Sequence, residues 1–241
     1  MKVLGIETSG NIGGAAICEN KYVVAARDLE AGMHHGRELI PTIKEIFQQV
    51  GWKFHDIDLI AVDIGPGSYT GLRIGVTCAK VLAYAVKKPV IDVPAFDAIV
   101  EDYRMNSIPI CPVIDAKRNR VYACIYEPVS IQFHGQEVIR KKRVSEFMVI
   151  QPEQLLSLLP RPVVVFGDGV TAYKDLFLQK GIYIDEEERT LPKAKHIALL
   201  GEVAYESGRR CEPDKLLPLY LRKAEAVEKL EGKKAQIHRT A

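Results

Sequence analysis

The sequence predicts an α/β protein of two related lobes, each a mixed sheet flanked by helices. Three observations carry that expectation. Short apolar strands open the chain and then alternate with helices of amphipathic spacing. A glycine-rich turn, Gly65-Pro66-Gly67-Ser68-Tyr69-Thr70-Gly71, joins a buried-looking strand to a long apolar helix. The chain also matches itself: a slide of 108 positions lays Ile6 on Ile114, Asn11 on Asn119, Ala15 on Ala123, Ile17 on Ile125 and Glu19 on Glu127. Duplication accounts for the length of 241 residues, and a chance match of short apolar strands is the competing reading.

Taken in order, strands are expected over 3–7, 13–19 and 22–29, joined by turns at Ser9-Gly10-Asn11 and Asn20-Lys21. An amphipathic helix follows over 36–50. Leu39, Ile40, Ile43, Ile46, Phe47 and Val50 share one face, with Glu38, Lys44, Glu45 and Gln48 elsewhere. Pro41 sits near its start, where a missing N–H is tolerated. The strand over 57–63 runs into the glycine-rich turn. There Pro66 and Gly67 suit the second and third positions of a type II turn, and Ser68 or Thr70 can cap the helix over 72–86. A strand over 90–93 and a helix over 96–103 complete the first lobe, residues 1–104.

The second lobe, residues 105–222, restarts with the repeated strand pair near 114–127. Strands over 144–149 and 163–166 and helices over 152–159 and 170–179 follow. Gly167-Asp168-Gly169 is either a strand-to-helix turn, the favoured reading, or a place to meet an adenosine. The last helix, near 195–207, is a candidate to pack back on the first lobe. Residues 223–241 are a charged tail with few apolar residues, expected to fray.

In the helix over 72–86 only Arg73 and Lys80 are charged, and apolar residues lie all round. Such a helix is covered on both sides. Gly71, Gly75, Ala79 and Ala83 recur every four residues as a small-residue stripe that admits a close neighbour. The neighbour is either part of the same chain or a second subunit. On the second reading Leu39, Ile43 and Phe47, with Gly71, Leu72, Gly75, Ala79 and Ala83, form a two-helix interface. A homodimer is then expected when the chain is alone.

Composition excludes several classes. With 33 basic against 31 acidic residues, the chain carries no strong electrostatic footprint for nucleic acid. The basic run Arg140-Lys141-Lys142-Arg143 lacks interleaved aromatics and reads as a solvated hairpin. Cys18, Cys78, Cys111, Cys124 and Cys211 form no Cys-x-x-Cys pair and suit reduced thiols of a cytoplasmic protein. A strand is expected directly at Lys2 to Thr8, so no signal peptide is expected, and no apolar run reaches the roughly 18–20 residues of a membrane span. No membrane partner is expected.

The glycine-rich turn is not a nucleotide loop of the familiar kinds. Leu72-Arg73 follows Gly71 where a P-loop needs Lys and then Ser or Thr, and Thr70 stands where the dinucleotide fingerprint needs its third glycine. Among His34, His35, His55, His134, His196 and His238 no two are four apart, so no helix presents a paired-imidazole metal site. His35 with Glu38 offers at most a weak pair, and a solvated helix start is the favoured reading.

Two α/β halves with acidic strand ends are similar to actin, hexokinase, acetate kinase and the heat-shock-70 ATPases, the ASKHA type. A sharper resemblance rests on Ile6-Glu7-Thr8-Ser9, the run from Gly65 to Gly75, Ala79-Lys80, Val113-Ile114-Asp115-Ala116 with Val121-Tyr122, and Tyr220-Leu221-Arg222-Lys223. These closely resemble the bacterial TsaB (YeaZ) family, from Met1 to about Glu225. The resemblance implies a non-catalytic subunit in the synthesis of tRNA N6-threonylcarbamoyladenosine, beside the anticodon of tRNAs that read codons beginning with A. It implies pairing with the catalytic paralogue TsaD, help in recruiting the ATPase TsaE, and contact with tRNA only as part of the complex.

The resemblance also implies a degenerate nucleotide site at Thr8, Ser9, Asp115 and Gly167, with no cofactor bound tightly and ATP or ADP only within the complex. In the second hairpin, bulky Lys117, Arg118 and Arg120 stand where close backbone approach needs glycine. The TsaD-like relatives hold a metal with a His-x-x-x-His pair that this sequence lacks, so no metal is expected. The alternative function is an ATP-dependent kinase or metallohydrolase of the same superfamily, using Glu7, Asp115 or Asp168 as an acid–base or Mg²⁺ carboxylate.

Overall fold

A computed structural model describes residues 1–30, 35–101, 103, 107–133, 136–186 and 191–222. In chain order its elements begin with β1 (Lys2–Glu7), β2 (Gly14–Glu19), β3 (Tyr22–Asp28), α1 (His35–Val50), β4 (Leu59–Gly65), α2 (Tyr69–Val86), β5 (Val90–Pro94) and α3 (Ala95–Val100). They continue with β6 (Ile110–Asp115), β7 (Val121–Ala123), β8 (Tyr126–Phe133), β9 (Gln136–Arg143), β10 (Met148–Ile150), α4 (Pro152–Leu158), β11 (Val163–Phe166), α5 (Asp168–Ala172), α6 (Lys174–Phe177), β12 (Ile182–Asp185) and α7 (Ala194–Glu206). The tail, with Lys223 and His238, lies outside the described residues, as do His34, His134 and the first lobe's boundary at 104.

The two sheets share one plan. Strands run β3-β2-β1-β4-β5 in the first and β10-β7-β6-β11-β12 in the second. In each, an antiparallel hairpin (β1/β2, β6/β7) is followed by two strands parallel to its first member. Shifted by 108 positions, β1 falls end for end on β6. Glu7 pairs with Gly14 and Asp115 with Val121, so the second lobe's turn is one residue shorter. The hairpin β8/β9 adds to this plan and joins β6 through Ile110 and Tyr126.

The first sheet is covered on both faces, which is why Val3, Leu4 and Ile6 of β1 are all buried. Leu4, Ile6 and Ile17 meet Leu39, Ile43 and Phe47 of α1 and Val76 and Ala79 of α2. On the other face Val3, Cys18 and Leu59 meet Ile197 and Ala198 of α7. Phe96, Ile99 and Val100 of α3 pack against Tyr126, Val164 and Phe166, joining the lobes through one apolar cluster.

Several local expectations change. The Gly65–Pro66 peptide is cis and Gly65, not Gly67, takes a positive φ (103°), so no type II turn forms. Gly67 serves close approach instead, since a Cβ there would stand 2.5 Å from Ser9 O. Ser68 is the cap of α2, accepting a bond from Gly71 N at 3.2 Å, and the helix starts at Tyr69. The helical spacing over 170–179 is two short helices, α5 and α6, and β12 follows where no strand is expected. Arg140-Lys141-Lys142-Arg143 does lie in a largely exposed hairpin, on its second strand β9, where Arg140 and Arg143 face Glu101 and Asp97.

The small-residue stripe faces inward. A Cβ on Gly71 would stand 1.9 Å from Thr8 O, and one on Gly75 2.2 Å from Thr8 Oγ1. Leu72, Ala79 and Ala83, with Leu39, Ile43 and Phe47 of α1, are likewise buried in the subunit. The eight residues expected at a two-helix interface are therefore interior residues. Covering one side of α2 takes the very residues that permit close packing, because the strand beneath leaves room only for hydrogen or methyl. The outer side of α2 carries exposed Thr77, Val81 and Tyr84, and α1 exposes Ile40.

Candidate functional site

Parallel strands end together, and ligand crevices of α/β sheets lie beyond their carboxyl ends. In this chain β1 and β4 of one lobe and β6 and β11 of the other end at a common cleft of about 470 Å³. Ser9, Asn11, Ser68 and Tyr69 line it from the first lobe and Asp115, Lys117 and Asp168 from the second. Residues 219–222 close one side, with Tyr220 and Arg222 on the wall.

Of the four residues expected at a degenerate nucleotide site, the structure brings Ser9 and Asp115 to the cleft. Thr8 is wholly buried and donates its hydroxyl to Gly71 O at 2.8 Å, so it fastens α2 to β1. Gly167 is buried too; a Cβ there would meet Val113 O, and its φ of 115° starts the turn into α5. Its place is the strand-to-helix turn, away from the cleft wall.

Glu7 is not a cleft carboxylate. It is 1% exposed, and its Oε1 accepts Ser9 N at 2.5 Å, Ser9 Oγ at 2.7 Å and Gly10 N at 3.2 Å. Asp63, fully buried on the adjacent strand, accepts Gly65 N at 2.6 Å. Ser68 N donates to Ser9 O at 2.7 Å, so the two acids hold the two turns that floor the cleft. Burial, and then the charge of Asp63, push Glu7 well above the usual carboxylate range, and burial pushes Asp63 up to about 6. Glu7 Oε2 and Asp63 Oδ2 have no hydrogen-bond partner. One proton held by the pair relieves that cost.

The second-lobe turn is built from side chains that sequence spacing made look obstructive. Lys117, Arg118 and Asn119 all take positive φ (62°, 56° and 54°). Asp115 Oδ1 accepts Lys117 N at 2.8 Å, while Lys117 Nζ reaches Asp115 Oδ2 at 2.6 Å. Asp168 accepts Asp115 N at 2.8 Å, and burial raises its pKa. At the start of α1 Gly36 and Arg37 are exposed, while His35 itself is 2% exposed, with Nε2 2.9 Å from Gly10 O. Sequence reasoning missed Asp63 and Tyr69 as parts of the site and read Lys117 only as an obstruction in it. The quoted run from Tyr220 to Lys223 held the signal for Tyr220 and Arg222. Among the described residues no three or more His, Cys, Asp or Glu side chains group so as to hold a metal ion, and no helix is long and apolar enough to cross a membrane.

The profile of the family described as TsaD, tRNA N6-adenosine threonylcarbamoyltransferase, matches residues 29–230. Whole-chain relatives carry the name tRNA threonylcarbamoyladenosine biosynthesis protein TsaB. The Bacillus subtilis protein is 29% identical over 95% of this chain and 97% of its own length. The Escherichia coli protein is 28% identical over 97% and 100%. The chain belongs to the TsaB (YeaZ) family. The solved structure of YeaZ from Pseudomonas aeruginosa, 22% identical, superposes with a TM-score of 0.73 over 91% of this chain and all of that one. The two-lobed α/β fold is thus shared with that YeaZ structure. Within it, the cleft above is the one between the lobes.

Proposed function

We propose that this TsaB-family chain acts in the biosynthesis of tRNA N6-threonylcarbamoyladenosine as a non-catalytic subunit. It pairs with TsaD, helps recruit TsaE in the cytoplasm, meets tRNA only within that complex, and by itself holds no nucleotide tightly. The observation that carries the non-catalytic reading is the use of the acids. Glu7 and Asp63 are consumed in holding the cleft floor, and Lys117 occupies Asp115. Among the described residues no cleft acid with free access to a substrate proton remains except Asp168, which already accepts Asp115 N.

Pairing is assigned to the outer faces of α1 and α2, where Ile40, Val81 and Tyr84 are exposed large hydrophobics. The same surface serves a homodimer when the chain is alone. Reconstitution with TsaD, TsaE, tRNA and ATP tests both parts. Asp168→Asn is expected to leave the modification rate within a few-fold of wild type. Val81→Glu is expected to abolish co-purification with TsaD while circular dichroism stays unchanged. A loss of several orders of magnitude in Asp168→Asn, with association intact, would establish a catalytic role for the cleft and overturn the reading.

A further inference from the structure

Residues 213–222 run along α2 and then leave it. Lys80 Nζ reaches Asp214 O at 3.4 Å, and Tyr84 OH bonds the Asp214 carboxylate. Leu216 is 1% exposed within the first lobe's core. Leu219 N donates to Ile64 O at 2.7 Å, beside the glycine-rich turn. The Tyr220 ring stacks on Tyr69 with centroids 4.5 Å apart, and its hydroxyl accepts Arg73 Nε at 3.1 Å. Arg73 also donates to Tyr69 OH at 2.6 Å, so two linked side chains fix Tyr220 at the N-terminal end of α2. Up to this point the segment belongs to the first lobe.

Two residues later it has crossed the cleft. Arg222 Nη1 donates to Ala116 O and to Lys117 O, the latter at 3.2 Å. Both carbonyls belong to the turn between β6 and β7, in which three successive non-glycine residues are left-handed. Such a conformation persists only where its surroundings over-determine it. Asp115 holds the turn from within the second lobe, and Arg222 holds it from the first. A guanidinium presents several donors in a rigid fork, which suits two neighbouring carbonyl oxygens. The two carbonyls it meets are both acceptors, which suits a cationic donor from the chain itself.

We propose that residues 216–222 are a strap that runs along one wall of the cleft and ties the two lobes together, with Tyr220 as its seat on the first lobe and Arg222 as its clasp on the second. The apolar cluster around α3 joins the lobes elsewhere, and the strap sets how far they part. The inference stands on these contacts alone and does not depend on the tRNA reading.

Hydrogen exchange and small-angle scattering on the full chain test it together. In Arg222→Gln the amides of the β6–β7 turn are expected to exchange about tenfold faster, those of β1 and β11 to keep their protection, and the radius of gyration to rise. Arg222→Lys, with its charge but not its fork, falls between. Tyr220→Ala is the decisive second variant. It leaves Arg222 in place and removes contacts within the first lobe, yet the strap requires the second-lobe turn to loosen as well. Unchanged exchange of the turn in either variant overturns the proposal. Faster exchange with an unchanged radius reduces Arg222 to a local cap and overturns it equally. If Arg222→Gln loses protection throughout, Tyr220→Ala decides.

Discussion

Gly75→Ala is the substitution that separates an inward stripe from an interface. On an exposed helix face it stabilises by about 1 kcal/mol, the propensity difference between the two residues. Here the new Cβ would stand 2.2 Å from Thr8 Oγ1. Thr8 has no room to withdraw: it is fully buried and donates to Gly71 O at 2.8 Å. Either the helix shifts, at about 1–3 kcal/mol for overpacking, or the hydroxyl turns away and leaves a buried donor unsatisfied at a similar cost. Less the propensity gain, the net loss is about 0–2 kcal/mol. Thr8→Ala alone costs about 1 kcal/mol for the missing bond. In the double variant Oγ1 is gone and the nearest remaining atom, Thr8 Cβ, lies at an ordinary 3.4 Å. The pair is then expected to cost less than the sum of the singles by about 1–2 kcal/mol. Urea unfolding followed by the single Trp52, packed at the edge of the first lobe's core, measures all four proteins. Strict additivity, or a Gly75→Ala protein more stable than wild type, would refute the inward reading.

The other expectations follow from the same contacts. Because burial raises the pKa of Glu7 and lifts Asp63 from 3.8 to about 6, the native state keeps a proton that the unfolded chain loses first. Their contribution is therefore fully present below about pH 4 and is lost as pH rises through 6 and above, roughly 3 kcal/mol of it from Asp63. Asp63→Asn should reduce that slope in urea titrations from pH 4.5 to 7.5, leaving the part that burial of Glu7 supplies, and an unchanged slope in the variant would place the titration elsewhere. Ser68→Ala removes the cap bond to Gly71 N and should cost about 1 kcal/mol of stability by thermal melting, without changing association through the outer face of α2.

What the sequence determined by itself was the order and kind of most elements and the family. Strand and helix periods are local properties, so β1, β2, α1, β4 and α2 were legible from spacing and turn residues. The 108-position match foretold that β6 repeats β1, because residues at strand ends and tight turns are constrained by backbone geometry that both lobes share. The outward or inward sense of a helix face was not legible. Gly71 and Gly75 permit a close neighbour of any kind, and only the position of Thr8 decided that the neighbour is a strand of the same lobe. The cleft was legible by halves. Ser9 lies just beyond β1 and Asp115 ends β6, places that any reading would inspect, whereas Thr8 beside Ser9 and Gly167 just beyond β11 are buried in the core. Asp63 looked like the end of a buried strand until β4 lay beside β1 and made it the neighbour of Glu7. Arg222, over 100 residues from its partners Ala116 and Lys117, joined the site only through tertiary structure. Spacing along the chain records which residues share a face; which face meets which is set by packing between segments far apart in sequence, and that information is not local.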